Sequence, residues 1–305
     1  MSFAEDVKNE IAHYEGGDKD SRRAELSALL RMGGTVIYGA DGTTGVEFST
    51  SNNAVARRAL AGWRIISSVV PEVRIRRGLK LRKKNYYILR MLPSGETEAA
   101  LTALHVYPVK QDFSSMRLKK NEHGRAFLRG AFMGGGSVNK PSGDYHLELM
   151  TPDGEFAAFL LKLMRRFRLP AKMTDRKGEY LVYIKEGNGV SSFLQYIGAD
   201  RAYMEFESVR VIKEMRNNVN RVVNCETANL QKTVDAAVAQ IRDIESIQAS
   251  GRYANLTSKL RETAEMRLEN PEATLSELAE LSGLTKSGLS HRFQKIRKIA
   301  KQAER

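Results

Sequence analysis

The sequence is poor in the residues that build disulfides, metal sites and membrane spans. It contains one cysteine, Cys225, which excludes an internal disulfide or a multi-cysteine zinc site and is typical of the reducing cytoplasm. Its five histidines are scattered, and no pair has the spacing of zinc ligands. The longest apolar run, Phe156 to Met164, is interrupted by Lys162 and falls far short of the ~20 residues that a membrane-spanning helix needs. We therefore expect no metal ion and no membrane anchor.

Signals for export and for a nucleotide cofactor are also missing. The first fourteen residues, MSFAEDVKNEIAHY, carry too many charges for a secretory signal peptide. The glycine run Gly134 to Gly136 lacks the following Lys-Ser/Thr of a phosphate-binding loop. These absences predict a cytoplasmic protein that has no cofactor.

The chain has a large excess of positive charge. It holds 49 Lys and Arg against 36 Asp and Glu in 305 residues, a net charge of +13, and most of the excess lies upstream of residue 200. Such an excess favours a polyanionic partner. At 42% hydrophobic residues, the chain is also long enough to bury more than one core.

An internal repeat dominates the first two thirds of the chain. Helical and strand periodicities follow one another as α-β-β-α-β-β-α, with a hairpin turn at Asp41-Gly42, and the same order recurs from about Gly124. The segment LSALLRMGGTV at 26–36 aligns with LRGAFMGGGSV at 128–138. The sequence therefore predicts two copies of one α+β unit in tandem, followed by an all-helical region after about residue 200.

The aligned segments resemble the motif of the LAGLIDADG homing endonucleases. That resemblance implies two αββαββα units whose motif helices pack closely, with Ala28 and Gly130 as the small residues that permit the approach. In that family an acidic residue just before the final glycine of each motif holds the catalytic metal ion. Here those two positions are Gly33 and Gly135, and the earlier acidic positions are Arg31 and Met133. Glycine has no side-chain ligand, so we expect no nuclease activity; Asp41, Asp144 or Glu25 would have to replace the missing carboxylates in an active enzyme.

A strongly cationic stretch lies in the second strand pair of the first copy. Between residues 73 and 91 there is no acidic side chain, and Tyr86 and Tyr87 are interleaved with the cations. Because a solvated face normally mixes charges of both signs, this stretch is a candidate for phosphate contacts. The candidate secondary contacts to nucleic acid are Arg74, Arg76, Arg77, Lys80, Arg82, Lys83 and Lys84 in the first copy and Arg176 and Lys177 in the second.

The region after residue 200 is helical and contains an amide-rich stripe. Asn217, Asn220 and Asn224 recur at i, i+3 and i+7. Buried amides need partners, so we expect them to contact the preceding domain or, as the alternative, DNA phosphates. Cys225 is expected to be a small packing residue.

The last fifty residues match a helix-turn-helix. Thr274 to Glu277 forms a capping box that opens one helix, Gly283 makes the turn, and Lys286 opens the next. Leu278, Ala279, Leu284 and Leu289 occupy the positions where this motif needs apolar or small residues. We predict base contacts from Lys286, Ser287, Ser290 and His291, and phosphate contacts from Arg292, Lys295 and Lys298.

Taken over its whole length, the chain resembles the WhiA family of bacterial regulators. The most specific matches are RNNVNRVVNCETANLQK at 216–232 and SGLSHR at 287–292. The resemblance implies a non-enzymatic, sequence-specific regulator of transcription that binds double-stranded DNA in the cytoplasm at the nucleoid. It also implies a link to sporulation, cell division or chromosome partition, with transcription or cell-division proteins as further partners.

Two other functions stay open from the residues alone. One is an interaction scaffold whose cationic strands bind an acidic protein, and the other is an active nuclease. The predicted division is two LAGLIDADG-like units at 1–108 and 109–199, a helical linker at 200–254 and the helix-turn-helix domain at 255–305.

Overall fold

The structure is a computed structural model that describes residues 2–77, 85–107, 116 and 118–303. Its contacts divide the chain into two compact units, Met1–Lys213 and Glu214–Arg305. Among the described residues, no helix is long and apolar enough to cross a membrane.

The first unit contains two copies of the same succession of helices and strands. Its helices are α1 (Phe3–Ala12), α2 (Lys19–Gly33), α3 (Asn53–Ile66), α4 (Gly95–Ala103), α5 (Asn121–Gly135), α6 (Gly154–Arg166) and α7 (Gly187–Tyr196). Its strands are β1 (Gly34–Tyr38), β2 (Thr44–Thr50), β3 (Glu72–Arg77), β4 (Asn85–Met91), β5 (Gly136–Val138), β6 (Leu147–Thr151), β7 (Lys172–Arg176) and β8 (Glu179–Ile184). The predicted tandem α+β repeat is confirmed.

Each copy forms one antiparallel four-stranded sheet with its first strand at one edge and its third at the other. The strand orders are β1-β2-β4-β3 and β5-β6-β8-β7. One face of each sheet packs against helices: Phe48 and Leu89 pair across the first sheet and are buried, as are Leu149 and Val182 across the second. The two copies of the sequence repeat therefore fold into sheets with the same strand order.

Short polar side chains fix where the helices begin. The carboxylate of Asp18 accepts a hydrogen bond from the Ser21 amide at the start of α2 (2.8 Å), and Asn52 accepts one from Val55 at the start of α3 (3.0 Å). The hairpin predicted at Asp41-Gly42 is present, and Gly42 has φ +82°, a conformation that favours glycine.

The motif helices α2 and α5 pack directly against each other in the centre of the first unit. Ala28 is completely buried, and Gly130 lies against the backbone carbonyl of Glu25 so closely that a Cβ atom there would overlap the oxygen. The predicted role of Ala28 and Gly130 as small residues at a close helix contact is confirmed.

A buried ion cluster stands beside this contact. The Glu25 carboxylate pairs with Arg58 of α3 and with Arg129 Nη1 of α5 (3.0 Å). Arg129 also donates from Nε to the Ile197 carbonyl (2.7 Å) and stacks on the Tyr14 ring at 3.6 Å from its centroid. Both guanidinium groups therefore neutralise Glu25, which joins the two copies of the repeat.

The second unit is all-helical. Helix α8 (Asp200–Ala249) begins in the first unit and continues into the second, which adds a short 3-10 helix (Arg252–Asn255), α9 (Ser258–Glu269), α10 (Leu275–Ser282) and α11 (Lys286–Ala303). Its core residues are Ile244, Ile247, Leu256, Leu260, Ala264, Leu278, Leu289, Phe293, Ile296 and Ala300. The predicted fold class, a tandem LAGLIDADG-like repeat followed by helices, is confirmed.

The middle of α8 corrects two expectations. Asn217, Asn220, Asn224 and Cys225 are all exposed, as is every other residue from 214 to 232. Burial of the amides and of Cys225 was therefore a wrong expectation, because this segment contributes no residue to either core.

Candidate nucleic-acid interface

The start of α10 and the turn after it are set by local chemistry. Thr274 Oγ1 accepts from the Glu277 amide (3.2 Å), and Glu277 Oε2 accepts from the Thr274 amide (2.7 Å), which completes a capping box. The hydrogen bond from the Thr274 amide lowers the pKa of the Glu277 carboxyl below its ordinary value. Gly283, at φ +66°, ends the helix.

A small core holds α11 against α10. Leu278 and Leu289 are completely buried, and Ala279 and Leu284 pack against the same cluster. These are the apolar positions that the helix-turn-helix pattern predicted. The Thr285 hydroxyl accepts from the Gly288 amide (3.1 Å) and begins α11.

One face of α11 is exposed. Leu289, Phe293, Ile296 and Ala300 face the core of the unit. At 100° per residue the opposite face carries Ser287, His291, Gln294 and Lys298, all of which are exposed. Lys286 at the helix start and Lys295 beside this face are exposed as well.

Two of the predicted contact residues lie off this face. Ser290 is half-buried. Arg292 Nη1 donates to the Lys259 carbonyl and to the Thr263 hydroxyl, each at 3.2 Å, which directs this guanidinium toward α9. The contacts of Arg292 thus favour a role in positioning α11, and its phosphate contact stays a prediction from the sequence.

Gln294 and Arg267 were not singled out from the sequence. Gln294 follows His291 by three residues and Ser287 by seven, so helical periodicity alone could have found it. Arg267 is buried, and burial lowers the pKa of its guanidinium. It donates to the Ala273 carbonyl (2.6 Å) and to Gln240 Oε1 (3.0 Å), which fixes the loop before α10; only the tertiary structure shows this role.

The cationic strands of the first copy have mixed orientations. Strand residues alternate between faces, so Arg74 and Arg76 lie on the face away from the helices and Arg77 on the opposite one. Arg74 pairs with Glu72 (2.9 Å), and the Arg76 guanidinium lies 5.5 Å from the Tyr86 ring centroid. Lys80, Arg82, Lys83 and Lys84 lie outside the described residues.

In the second copy the candidate cations lie at a hairpin. Arg176 ends β7 opposite Glu179, and Lys177 has φ +56° in the turn. Both side chains are exposed.

Gly33 and Gly135, the two glycines that the sequence aligns with metal-ligand positions of the motif, lie at the ends of α2 and α5. A Cβ atom at Gly33 would lie 2.8 Å from Phe48 Cε2, and one at Gly135 would lie 2.8 Å from the Met150 carbonyl oxygen. No described group of three or more His, Cys, Asp or Glu residues is placed to hold a metal ion.

The residues around these glycines are committed to internal contacts. Arg31 donates to Asp153 Oδ2 (2.8 Å) and to the His105 carbonyl (3.2 Å), which ties the first motif helix to α6. Of the carboxylates that could have substituted as ligands, Glu25 is paired with two arginines and Asp41 accepts from the Thr43 hydroxyl (2.7 Å).

Comparison with known proteins covers the chain from residue 19 to residue 300. The profile of the WhiA N-terminal LAGLIDADG-like domain matches 19–107, that of the WhiA LAGLIDADG-like domain 124–216, and that of the WhiA C-terminal HTH domain 219–300. A probable cell division protein WhiA of Alkaliphilus metalliredigens is 42% identical over 98% of each chain. The chain belongs to the WhiA family.

Two further relatives agree with this assignment. A probable cell division protein WhiA of Desulfitobacterium hafniense is 41% identical over 100% of this chain and 97% of its own. The crystal structure of full-length DUF199/WhiA from Thermatoga maritima is 27% identical, covers 99% of both chains and superposes with a TM-score of 0.60. The resemblance to WhiA seen in the sequence is confirmed over the full length.

Proposed function

We propose that this WhiA protein is a sequence-specific transcription regulator that binds double-stranded DNA through α11. The observation that carries the proposal is the exposed face formed by Ser287, His291, Gln294 and Lys298 on a helix whose other side is buried. A helix held in this way fits the major groove, where hydroxyl, imidazole and amide groups can hydrogen-bond to base edges.

The charge of α11 supports the same function. Between residues 286 and 301 there are six Lys or Arg side chains and no acid. Lys286, Lys295 and Lys298 are exposed and suit phosphate contacts, which supply most of the non-specific affinity for DNA. The exposed cations of the two sheets, Arg74, Arg76 and Arg176, are proposed as secondary contacts.

We also propose that the protein is not an enzyme. Gly33 and Gly135 supply no ligand, and neighbouring atoms occupy the space that a side chain at either position would need. The relatives are named probable cell division proteins, so we propose that the regulated genes serve cell division. By family resemblance, we extend the proposal to sporulation and chromosome partition, and we place the protein in the cytoplasm at the nucleoid.

We also propose a division of the chain into four parts, with boundaries at 108/109, 199/200 and 254/255.

The test measures binding to a duplex selected by the full chain from a random library. Gln294→Ala and His291→Ala should each weaken binding to the selected duplex about tenfold and relax preference at one base position. Lys298→Ala should weaken binding to all sequences alike and reduce the slope of log K against log salt by about 1. Arg242→Ala, an exposed cation on α8 in the same unit, is the matched control and should change neither.

Deletion of residues 271–305 separates this function from the interaction scaffold. A DNA regulator should lose sequence-specific binding with α10 and α11. If the truncated chain binds DNA with the same affinity and sequence preference as the full chain, α11 is not the element that contacts the bases.

A further inference from the structure

Part of α8 is exposed on all sides. All nineteen residues from 214 to 232 are exposed. These residues form a continuous part of the 50-residue helix Asp200–Ala249.

The composition of this segment does not sustain a solitary helix. It contains five asparagines, three valines and a threonine, residues with low helix propensity. Within residues 217 to 232 the charged side chains are Arg221, Glu226 and Lys232, and no oppositely charged pair among them stands three or four positions apart. A helix of this kind needs packing against a partner to be stable in water.

The segment also carries a narrow aliphatic stripe. At 100° per residue, Met215, Val219, Val222, Val223 and Leu230 fall within an arc of about 100°. Their exposed fractions run from 52% to 65%. Asn217, Asn224 and Lys232 lie on the other side of the helix. An apolar stripe of this width is typical of a helix that packs against another helix.

We propose that this aliphatic stripe is a self-association surface, on which α8 of a second copy packs antiparallel about a two-fold axis at the level of Arg221. In that register Val219 of each copy opposes Val223 of the other, Met215 opposes Thr227, and Leu230 opposes Ile212. A two-fold pair of this kind uses the same patch on both chains, which is the commonest form of homodimer.

Charge complementarity selects both the second copy as the occupant and the antiparallel direction. Arg216 lies at the border of the stripe and Glu226 lies within its arc, and among the described residues neither has an ion-pair partner. The antiparallel register places Arg216 of each copy opposite Glu226 of the other, twice per dimer. A parallel pair in register would instead oppose Arg216 to Arg216 and Glu226 to Glu226, which is unfavourable.

Self-association has a consequence for recognition that builds on the proposed function. Two copies bring two α11 helices related by a two-fold axis, so their binding site would contain two inverted half-sites. The association itself is measured without DNA, so its failure and the failure of DNA binding are separate results.

The first experiment measures the mass of the full 34.2 kDa chain by sedimentation up to about 0.1 mM protein, without DNA. The wild type should rise reversibly toward two chains. Arg216→Glu and Glu226→Arg should each weaken association at least tenfold, and the double reversal should restore it. Arg221→Glu, on the opposite side of the helix, is the matched control and should associate like the wild type.

The second experiment tests whether the two α8 helices run antiparallel, by disulfide cross-linking in a Cys225→Ser background. Arg216→Cys combined with Glu226→Cys should form covalent dimers on mild oxidation. Either cysteine alone should not, because like positions in the antiparallel pair lie about 15 Å apart along the axis, beyond the reach of a disulfide.

Three outcomes would overturn the proposal. The first is the mass of a single chain at every concentration, with the helical circular dichroism unchanged. The second is a double reversal that does not restore association. The third is efficient cross-linking through Arg216→Cys alone. A monomer whose 214–232 amides gain hydrogen-exchange protection only when duplex DNA is added would assign the stripe to nucleic acid instead.

Discussion

Gly130 shows how one residue determines the contact between the two copies of the repeat. Its α-carbon lies against the Glu25 carbonyl, and a methyl group there would overlap that backbone oxygen. The carbonyl oxygen belongs to the backbone and cannot rotate away as the end of a flexible side chain can. The helices α2 and α5 would therefore have to separate. Separation would also disturb the ion pair between Glu25 and Arg129, the residue that precedes Gly130.

Gly130→Ala is therefore expected to destabilise the first unit by about 3 kcal/mol, at the upper end of the cost of overpacking. Urea unfolding followed by the fluorescence of Trp63, the single tryptophan and a buried residue of that unit, measures the change. Gly62→Ala in α3 is the control. Its added carbon would lie 3.5 Å from Leu26, so the substitution should raise stability by up to about 1 kcal/mol. Equal effects of the two substitutions would contradict the close-contact explanation.

At the scale of one element, the capping box makes the start of α10 depend on pH. The carboxylate of Glu277 accepts the Thr274 N–H, which lowers the pKa of that carboxyl in the folded state. A lowered folded-state pKa means that the charged form stabilises the fold. This stabilisation is complete above the pKa of the unfolded chain and is lost as the pH falls through the folded-state pKa.

Glu277→Gln is expected to remove this pH dependence. The amide can still accept the hydrogen bond but has no proton to bind in this range, so protection of the α10 amides should change less on acidification than in the wild type. Hydrogen exchange at α10 between about pH 3 and pH 6 measures the difference. Glu280→Gln, in the same helix but outside the capping box, should retain the wild-type profile. If both variants lose it, the capping box is not the cause.

At the scale of the whole molecule, a large positive charge is combined with glycine at two positions where the LAGLIDADG motif has an acidic residue. The net charge of +13 favours a polyanionic partner, and Gly33 and Gly135 offer no side-chain ligand to a metal ion. In two-metal nucleases, the metal ions stabilise the attacking and leaving oxygens of the in-line displacement, and Gly33 and Gly135 cannot hold such ions. Binding and cleavage are therefore expected to be separate properties in this molecule.

With magnesium or manganese, the full chain should retard supercoiled plasmid on a gel without nicking it. The retardation should disappear steeply as salt rises, because binding releases counterions. Nicking that persists through purification and is lost on Asp41→Asn or Asp144→Asn would show that other carboxylates have replaced the missing ones.

Local chemistry made several features predictable from the sequence. The duplicated LSALLRMGGTV-like segment predicted the tandem repeat, and the TLSE capping box and Gly283 predicted the helix-turn-helix. Each depends on spacing along one helix or on backbone geometry at one residue. These properties do not need distant parts of the chain.

The tertiary structure decided what depends on residues far apart in the chain. No local sequence pattern predicts four of the observed features. They are the strand order β1-β2-β4-β3, the direction of Arg292 toward α9, the pairing of Arg31 with Asp153 and the exposure of residues 214–232. A side chain's partner is set by which surfaces pack, and packing is a property of the whole fold. The sequence by itself thus determined the repeat and the capped helices, because these depend on local spacing, whereas only the folded chain determined which side chains pair and which are exposed.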